Sequence, residues 1–279
     1  AAIRAALDLA AADRPPRDRL VEVATEGTEE ARRFVMQRDL ITLPEGPVRV
    51  ILMPEFQRGV AVAYCDSPGP LERHLDTFYA ISPIPDDWSE EQAVSFLREY
   101  NTRGILDIGV HEAMPGHYVQ IWHSNRYPST LRAVLGSGSF VEGWAVYAEE
   151  MMVQEGFRAD DPLYRLSQLK VQLRTITNAI IDQAIHVDGM SREEMMQLLT
   201  QTAFQEEREA AGKWRRAQLS FTQLSTYFVG FQEHLETRAA AQQRQGAAFN
   251  LKAYHDGVLA FGSPPGRFAR QLLLDEPIQ

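Results

Sequence analysis

Gly109-Val110-His111-Glu112-Ala113-Met114-Pro115-Gly116-His117-Tyr118-Val119-Gln120 carries two histidines, with a glutamate directly after the first. The pattern reads as a metal site that brings its own general base. Neutral imidazoles hold a divalent ion without cancelling its charge, and a carboxylate beside the ion can take a proton from bound water. In the familiar His-Glu-x-x-His spacing the histidines are four residues apart, about 40° around a helix. His111 and His117 are six apart, which on an unbroken helix is about 120°. They can share an ion only if the helix breaks between them. Pro115-Gly116 supplies the break, since proline lacks an amide hydrogen and crowds the preceding turn, while glycine permits unusual dihedrals. Taken alone, the stretch reads equally as polar residues around a kinked helix.

A second stretch, Ser139-Phe140-Val141-Glu142-Gly143-Trp144-Ala145-Val146-Tyr147-Ala148-Glu149-Glu150, favours the metal. Glu142 stands where a later helix would deliver a third ligand. With Phe140, Val141 and Trp144 around it, an unpaired carboxylate would be costly, so a cationic partner is expected. Glu149 lies two helical turns further along the same face, where it could orient a ligand histidine. A solvated helix face is the plainer reading of Glu149 and Glu150.

Together these stretches resemble the gluzincin-like family catalogued as domain of unknown function 885, whose hallmark is His-Glu-x-x-Pro-Gly-His followed by Glu-Gly-Trp-Ala and a Tyr-x-Glu helix. Here they stand as HEAMPGH at 111–117 and EGWAVYAE at 142–149. The likeness continues through GVAVAYCDSPGP near residue 60, RTITNAIIDQAIH near 180, QLSTYFVG near 226 and FNLKAYHDGVLAFG near 255. It implies a mainly α, multi-helix zinc-peptidase-like domain. Members of the family are generally longer, with a helical region ahead of this part. The start at Ala-Ala-Ile-Arg, with no apolar signal region, therefore reads as a trimmed N-terminus. Residues 1–279 are expected to form a single catalytic domain, the C-terminal part of a longer chain.

Composition is ordinary for a globular protein, at 44% hydrophobic and 24% charged residues. A net charge of −10 argues against a nucleic-acid surface. No run approaches the ~18 apolar residues of a membrane span. The one cysteine, Cys65, excludes an internal disulfide and leaves the compartment open.

Helical periodicity starts at Ile3 and stops at Pro15-Pro16, and a second helix is expected from about Thr28 to Leu40. The stretches 48–53 and 59–64 read as short strands of a small sheet. Such a strand could offer its edge to an extended peptide or merely cover the core. Ser89 with Gln92, and Ser191 with Glu194, have the spacing of helix-capping boxes. Between them, Leu166, Leu169, Leu173, Ile176 and Ile180 recur at helical spacing on a helix from about 163 to 186, a stripe expected to be core. A charged helix should run from about Thr202 to beyond Trp214.

Of the remaining histidines, His74, His123 and His234 have no supporting pattern. His186 and His255 lie in family-like stretches and could line a pocket, or could make buried hydrogen bonds with Asp182 or Asp256. Tyr227 could donate a hydrogen bond to an oxyanion. Arg174 and Arg216 could grip a substrate carboxylate, or could form structural salt bridges. The expected ligands are then His111, His117 and Glu142 around Zn2+, with Glu112 as base and a peptide or small amide as substrate. The alternatives are a hydrolase using another metal and a helical binding protein that keeps the fold without turnover.

Overall fold

The computed structural model describes residues 1–59, 61–72 and 74–277. Small and aliphatic residues at helical spacing set the first two helices, α1 (Ala2–Ala12) and α2 (Leu20–Arg38). On α2 the buried stripe is Leu20, Ala24, Thr28, Ala31 and Val35, so the helix begins well before the expected Thr28. Glu29 and Glu30 consequently lie inside the helix rather than at its N-terminus, and Glu30 pairs with Arg158.

The sheet has three strands, β1 (Arg49–Leu52), β2 (Ala63–Asp66) and β3 (Phe78–Ile81), in the order β1-β3-β2. β3 pairs parallel with β1 and antiparallel with β2. It is the central and most buried strand, with Tyr79, Ala80 and Ile81 in the core, yet the sequence reading passed over it. The strand expected at 59–64 is displaced towards Asp66, and its Val60 lies outside the described residues.

Two helices carry the histidines, α4 (Thr102–Glu112) and α5 (His117–Ser124), after α3 (Glu90–Glu99). Asn101 caps α4 by accepting from the Arg103 and Gly104 amides, and the expected Ser89–Gln92 capping box is present on α3. α6 (Thr130–Val134) leads into α7 (Gly138–Gln154), the centre of the core, where Phe140, Trp144, Tyr147, Met151 and Met152 are all fully buried. α7 packs along α11 (Thr226–Gln245) through a meeting of two glycines. A Cβ on Gly143 would come within 2.2 Å of the Gly230 carbonyl carbon, and one on Gly230 within 1.7 Å of the Ser139 oxygen. Only glycine allows this approach, and it fixes the neighbouring Glu142 relative to α11.

α8 (Pro162–Gln183) corrects the expected core stripe. Leu169, Ile176 and Ile180 are exposed, while Tyr164, Ser167, Gln168, Thr175, Asn178, Ile181 and Asp182 are buried. The largely polar face turns inward because partners await it there. Asp182, for example, accepts the backbone amides of Thr222 and Ser225 at 2.9 Å each. The chain continues through α9 (Arg192–Gln197), which carries the expected Ser191–Glu194 box, and α10 (Glu207–Leu219), which starts later than the expected Thr202. It ends with α12 (Leu251–Leu259) and α13 (Gly266–Leu274). Among the described residues, no helix is long and apolar enough to cross a membrane.

Candidate metal centre

α4 ends at Glu112, and the chain turns through a cis Met114–Pro115 bond before α5 opens with His117. Gly116 makes the turn possible. A Cβ there would lie 1.7 Å from the His111 carbonyl oxygen, and its amide donates to Val110 at 2.9 Å. From α7, the Trp144 indole donates to the Pro115 carbonyl at 3.0 Å and ties the turn to the helix that carries Glu142. The break inferred from Pro115-Gly116 therefore brings the two imidazoles together, with ring centroids 4.8 Å apart and nearly perpendicular.

His111, His117 and Glu142 each present one donor atom, and these atoms lie within 4.8 Å of one another. Glu142 Oε2 is 3.3 Å from His117 Nε2 and 3.8 Å from His111 Nε2. Burial alone would raise the Glu142 carboxyl, but the two imidazoles outweigh it and hold it well below the usual carboxylate range. On the outer side of His111, Nδ1 meets Glu149 Oε1 at 2.6 Å. Burial would push His111 down, yet Glu142 and Glu149 hold its pKa well above the ordinary value. Behind Glu149 lies Asp107, also buried, whose Oδ1 accepts the Tyr164 hydroxyl at 3.0 Å. Burial and the neighbouring Glu149 push the Asp107 carboxyl well up.

Glu112 is buried and close to all three donor residues but outside their group. Burial raises its carboxyl, against the pull of His117 and His111, and it accepts the backbone N–H of Cys65 on β2. The edge strand of the sheet thus runs past Glu112. The Cys65 thiol is itself pushed up to about 12 by burial. Tyr227, on α11, stacks over His111 at 6.2 Å between ring centroids. Burial and Glu142 raise its phenol, so it stays protonated and able to donate. Gln223 donates to Glu142 Oε1 at 3.4 Å and to the Tyr227 oxygen at 3.3 Å, and accepts from Arg216 at 2.8 Å.

His111, His117, Glu142, Glu112, Glu149, Tyr227 and Arg216 are therefore gathered in one place. Three other expected site residues are not. His255 is sealed in the core, its Nδ1 donating to the Leu40 carbonyl and its Nε2 accepting from Tyr147, so burial and two hydrogen bonds account for it. Its suggested partner Asp256 binds Thr42 and Lys252 instead. His186 is exposed, with Nε2 at the Ala217 and Ser220 carbonyls. Arg174 is committed to Glu99 at 2.6 Å, as is Lys170. Glu150, read as a solvated face, pairs with Arg165. Sequence reasoning missed Asp107, Gln223 and the Cys65 amide. Asp107 stands one turn before His111 on the same helix face, a spacing that could have flagged it.

The family described as "Bacterial protein of unknown function (DUF885)" matches residues 1–273. The chain belongs to the DUF885 family. The solved "putative lipoprotein of unknown function" from Shewanella oneidensis is 40% identical and superposes with a TM-score of 0.85 over 96% of this chain and 48% of that one. The "putative lipoprotein" from Colwellia psychrerythraea shares the fold, with a TM-score of 0.81 at 23% identity over 93% of this chain and 43% of that one. This DUF885 chain thus spans about half the length of each of these two structures. No curated protein matches it.

Proposed function

We propose that this DUF885 chain is a gluzincin-like zinc hydrolase acting on peptide or amide bonds. One observation carries the reading. Donor atoms of His111, His117 and Glu142 converge within 4.8 Å, while Glu112, next in sequence to the first of them, stands beside the group without joining it.

The residues fit a divalent ion. Glu142 Oε2 is buried and makes no hydrogen bond although two imidazole nitrogens face it. Glu142 and Glu149 stand directly against the two imidazoles, and desolvated carboxylates need positive charge between them. Two histidines and a glutamate are a common donor set for catalytic zinc. A bound zinc ion supplies Lewis acidity, which polarises a carbonyl and lowers the pKa of water.

The chain's own groups supply the rest. Glu149, accepting from Nδ1 of His111, keeps a proton on that nitrogen and leaves Nε2 on the side of His117 and Glu142, where it would hold the ion. Glu112, its carboxyl raised by burial and oriented by the Cys65 N–H, is suited to taking a proton from water and returning it to the leaving nitrogen. The protonated Tyr227 phenol can donate to the oxyanion that forms on the attacked carbonyl.

Glu112→Gln tests the assignment. The amide keeps the shape but cannot accept a proton, so hydrolysis of a peptide library should fall by about 10²–10⁴ or more, with zinc content unchanged. Loss of zinc would make Glu112 a ligand, and full activity would put the base elsewhere.

A further inference from the structure

Around α10, Arg174 and Lys170 share Glu99 and Lys213 lies 3.6 Å from Glu209. Of the arginines on α10, Arg208 lies over the Trp88 ring and Arg215 is exposed, whereas Arg216 is turned towards Gln223 and Tyr227. Among the described residues, no carboxylate pairs with Arg216, and its guanidinium is hydrogen-bonded only to the Gln223 amide at 2.8 Å. It is half-buried, and close enough to Tyr227 to act electrostatically on the phenol. The same Gln223 side chain reaches Glu142 Oε1 and the Tyr227 oxygen. A guanidinium without a counterion therefore stands one amide away from a proposed zinc ligand and from the proposed oxyanion donor.

We infer that Arg216 anchors the C-terminal carboxylate of the substrate, so that the site acts on peptides ending one or two residues beyond the scissile bond. The inference rests on the peptidase reading and narrows it to one substrate class. A planar guanidinium matches a carboxylate bidentately, and half-burial makes that charge-assisted pair worth more than a surface contact. The reach agrees as well. The carboxylate must lie about one glutamine side chain from the reacting carbonyl, and extended chain covers ~3.3–3.6 Å per residue. Arg174, the other arginine that sequence reading offered for this task, already has its carboxylate in Glu99. Gln223 acts as the spacer. Its amide holds the guanidinium in place in the absence of substrate and keeps it apart from Glu142, which would otherwise draw it onto the metal ligand.

The test measures binding, so it does not depend on turnover. Zinc-loaded full chain carrying Glu112→Gln is titrated calorimetrically with N-acetyl-trialanine, its C-terminal amide, and an amide whose last alanine is replaced by aspartate. The free acid should bind at least about tenfold more tightly than the plain amide. In the double variant Glu112→Gln/Arg216→Gln that preference should vanish, and Arg216→Lys should restore part of it. Equal binding of acid and amide, or no binding of either, would overturn the inference. A preference that survives Arg216→Gln would mean that the carboxylate sits on the metal, and would overturn it too. An aspartate amide binding as tightly as the free acid would overturn the C-terminal assignment, because the guanidinium would then take an acidic side chain. Hydrolysis of the peptide library by the wild type decides the peptidase reading separately: turnover with equal acid and amide binding keeps the peptidase and removes the anchor.

Discussion

At His111 the outer nitrogen meets Glu149 at 2.6 Å, and without that acceptor the ring is free to turn and to change tautomer. Glu149→Ala should therefore weaken zinc affinity by about 10–100-fold, the usual cost of losing a partner behind a ligand histidine. Asp107→Asn should leave zinc affinity close to wild type, because Asp107 touches Tyr164 rather than a ligand and an amide oxygen can still accept that hydroxyl. Competition with a chromophoric chelator measures both, and equal losses in the two variants would contradict this division of roles. Glu149 was legible in sequence because two helical turns after Glu142 return to the same face. Gln223 was not, because its importance comes from three helices and a connecting segment meeting in space, which no local pattern encodes.

Elements are held in register by close approaches more than by their own periodicity. The Gly143–Gly230 crossing sets Glu142 against α11, and a methyl group at 143 would have to push the Gly230 backbone away. Gly143→Ala should destabilise the chain by about 1–3 kcal/mol or more, whereas Gly212→Ala, on α10 with open space around it, should be neutral or stabilising by up to ~1 kcal/mol. Urea unfolding of both variants checks this, and equal midpoints would remove the crossing from the account. The same contrast explains what the sequence reading could reach. Pro115-Gly116 announced the break between α4 and α5, and the Ser89 and Ser191 boxes announced helix starts, because the signals are local. The stripe Leu169–Ile176–Ile180 announced a helix but not which side of it is covered, and α8 turns its polar side inward. β3 went unread because its residues are buried by neighbours on both sides of the sheet, which removes the in–out alternation that marks a half-exposed strand.

Across the whole molecule, stability should depend on pH through groups remote from the candidate centre. Burial pushes His234 down to about 4 and His255 down to about 3. The folded chain therefore binds fewer protons than the unfolded chain below the ordinary histidine pKa of ~6.5, and stability falls as pH falls. The contribution is complete above that value and is lost down to about 4 for His234 and about 3 for His255. Each histidine costs about 1.4 kcal/mol per pH unit in its window. Glu99 works in the same direction at lower pH. Burial would raise it, but Lys170 and Arg174 pull it down to about 2, so its contribution is lost as pH drops from the ordinary carboxylate range towards that value. In the metal-free chain the raised His111, Asp107 and Glu112 act in the opposite sense, so the effect of a buried histidine is read as a difference: as pH falls from 6.5 to 4, the thermal unfolding midpoint of wild type should fall relative to that of His255→Gln. A difference that does not change with pH would mean that His255 is not held neutral.

Elemental analysis of the chain purified without added metal asks whether the break after α4 lets His111 and His117 share an ion with Glu142. Wild type should contain about one zinc per chain, and His111→Ala, His117→Ala and Glu142→Ala should each contain little while remaining folded by circular dichroism. Folded wild type without stoichiometric metal, or zinc content unchanged in all three variants, would contradict a shared ion at these three residues.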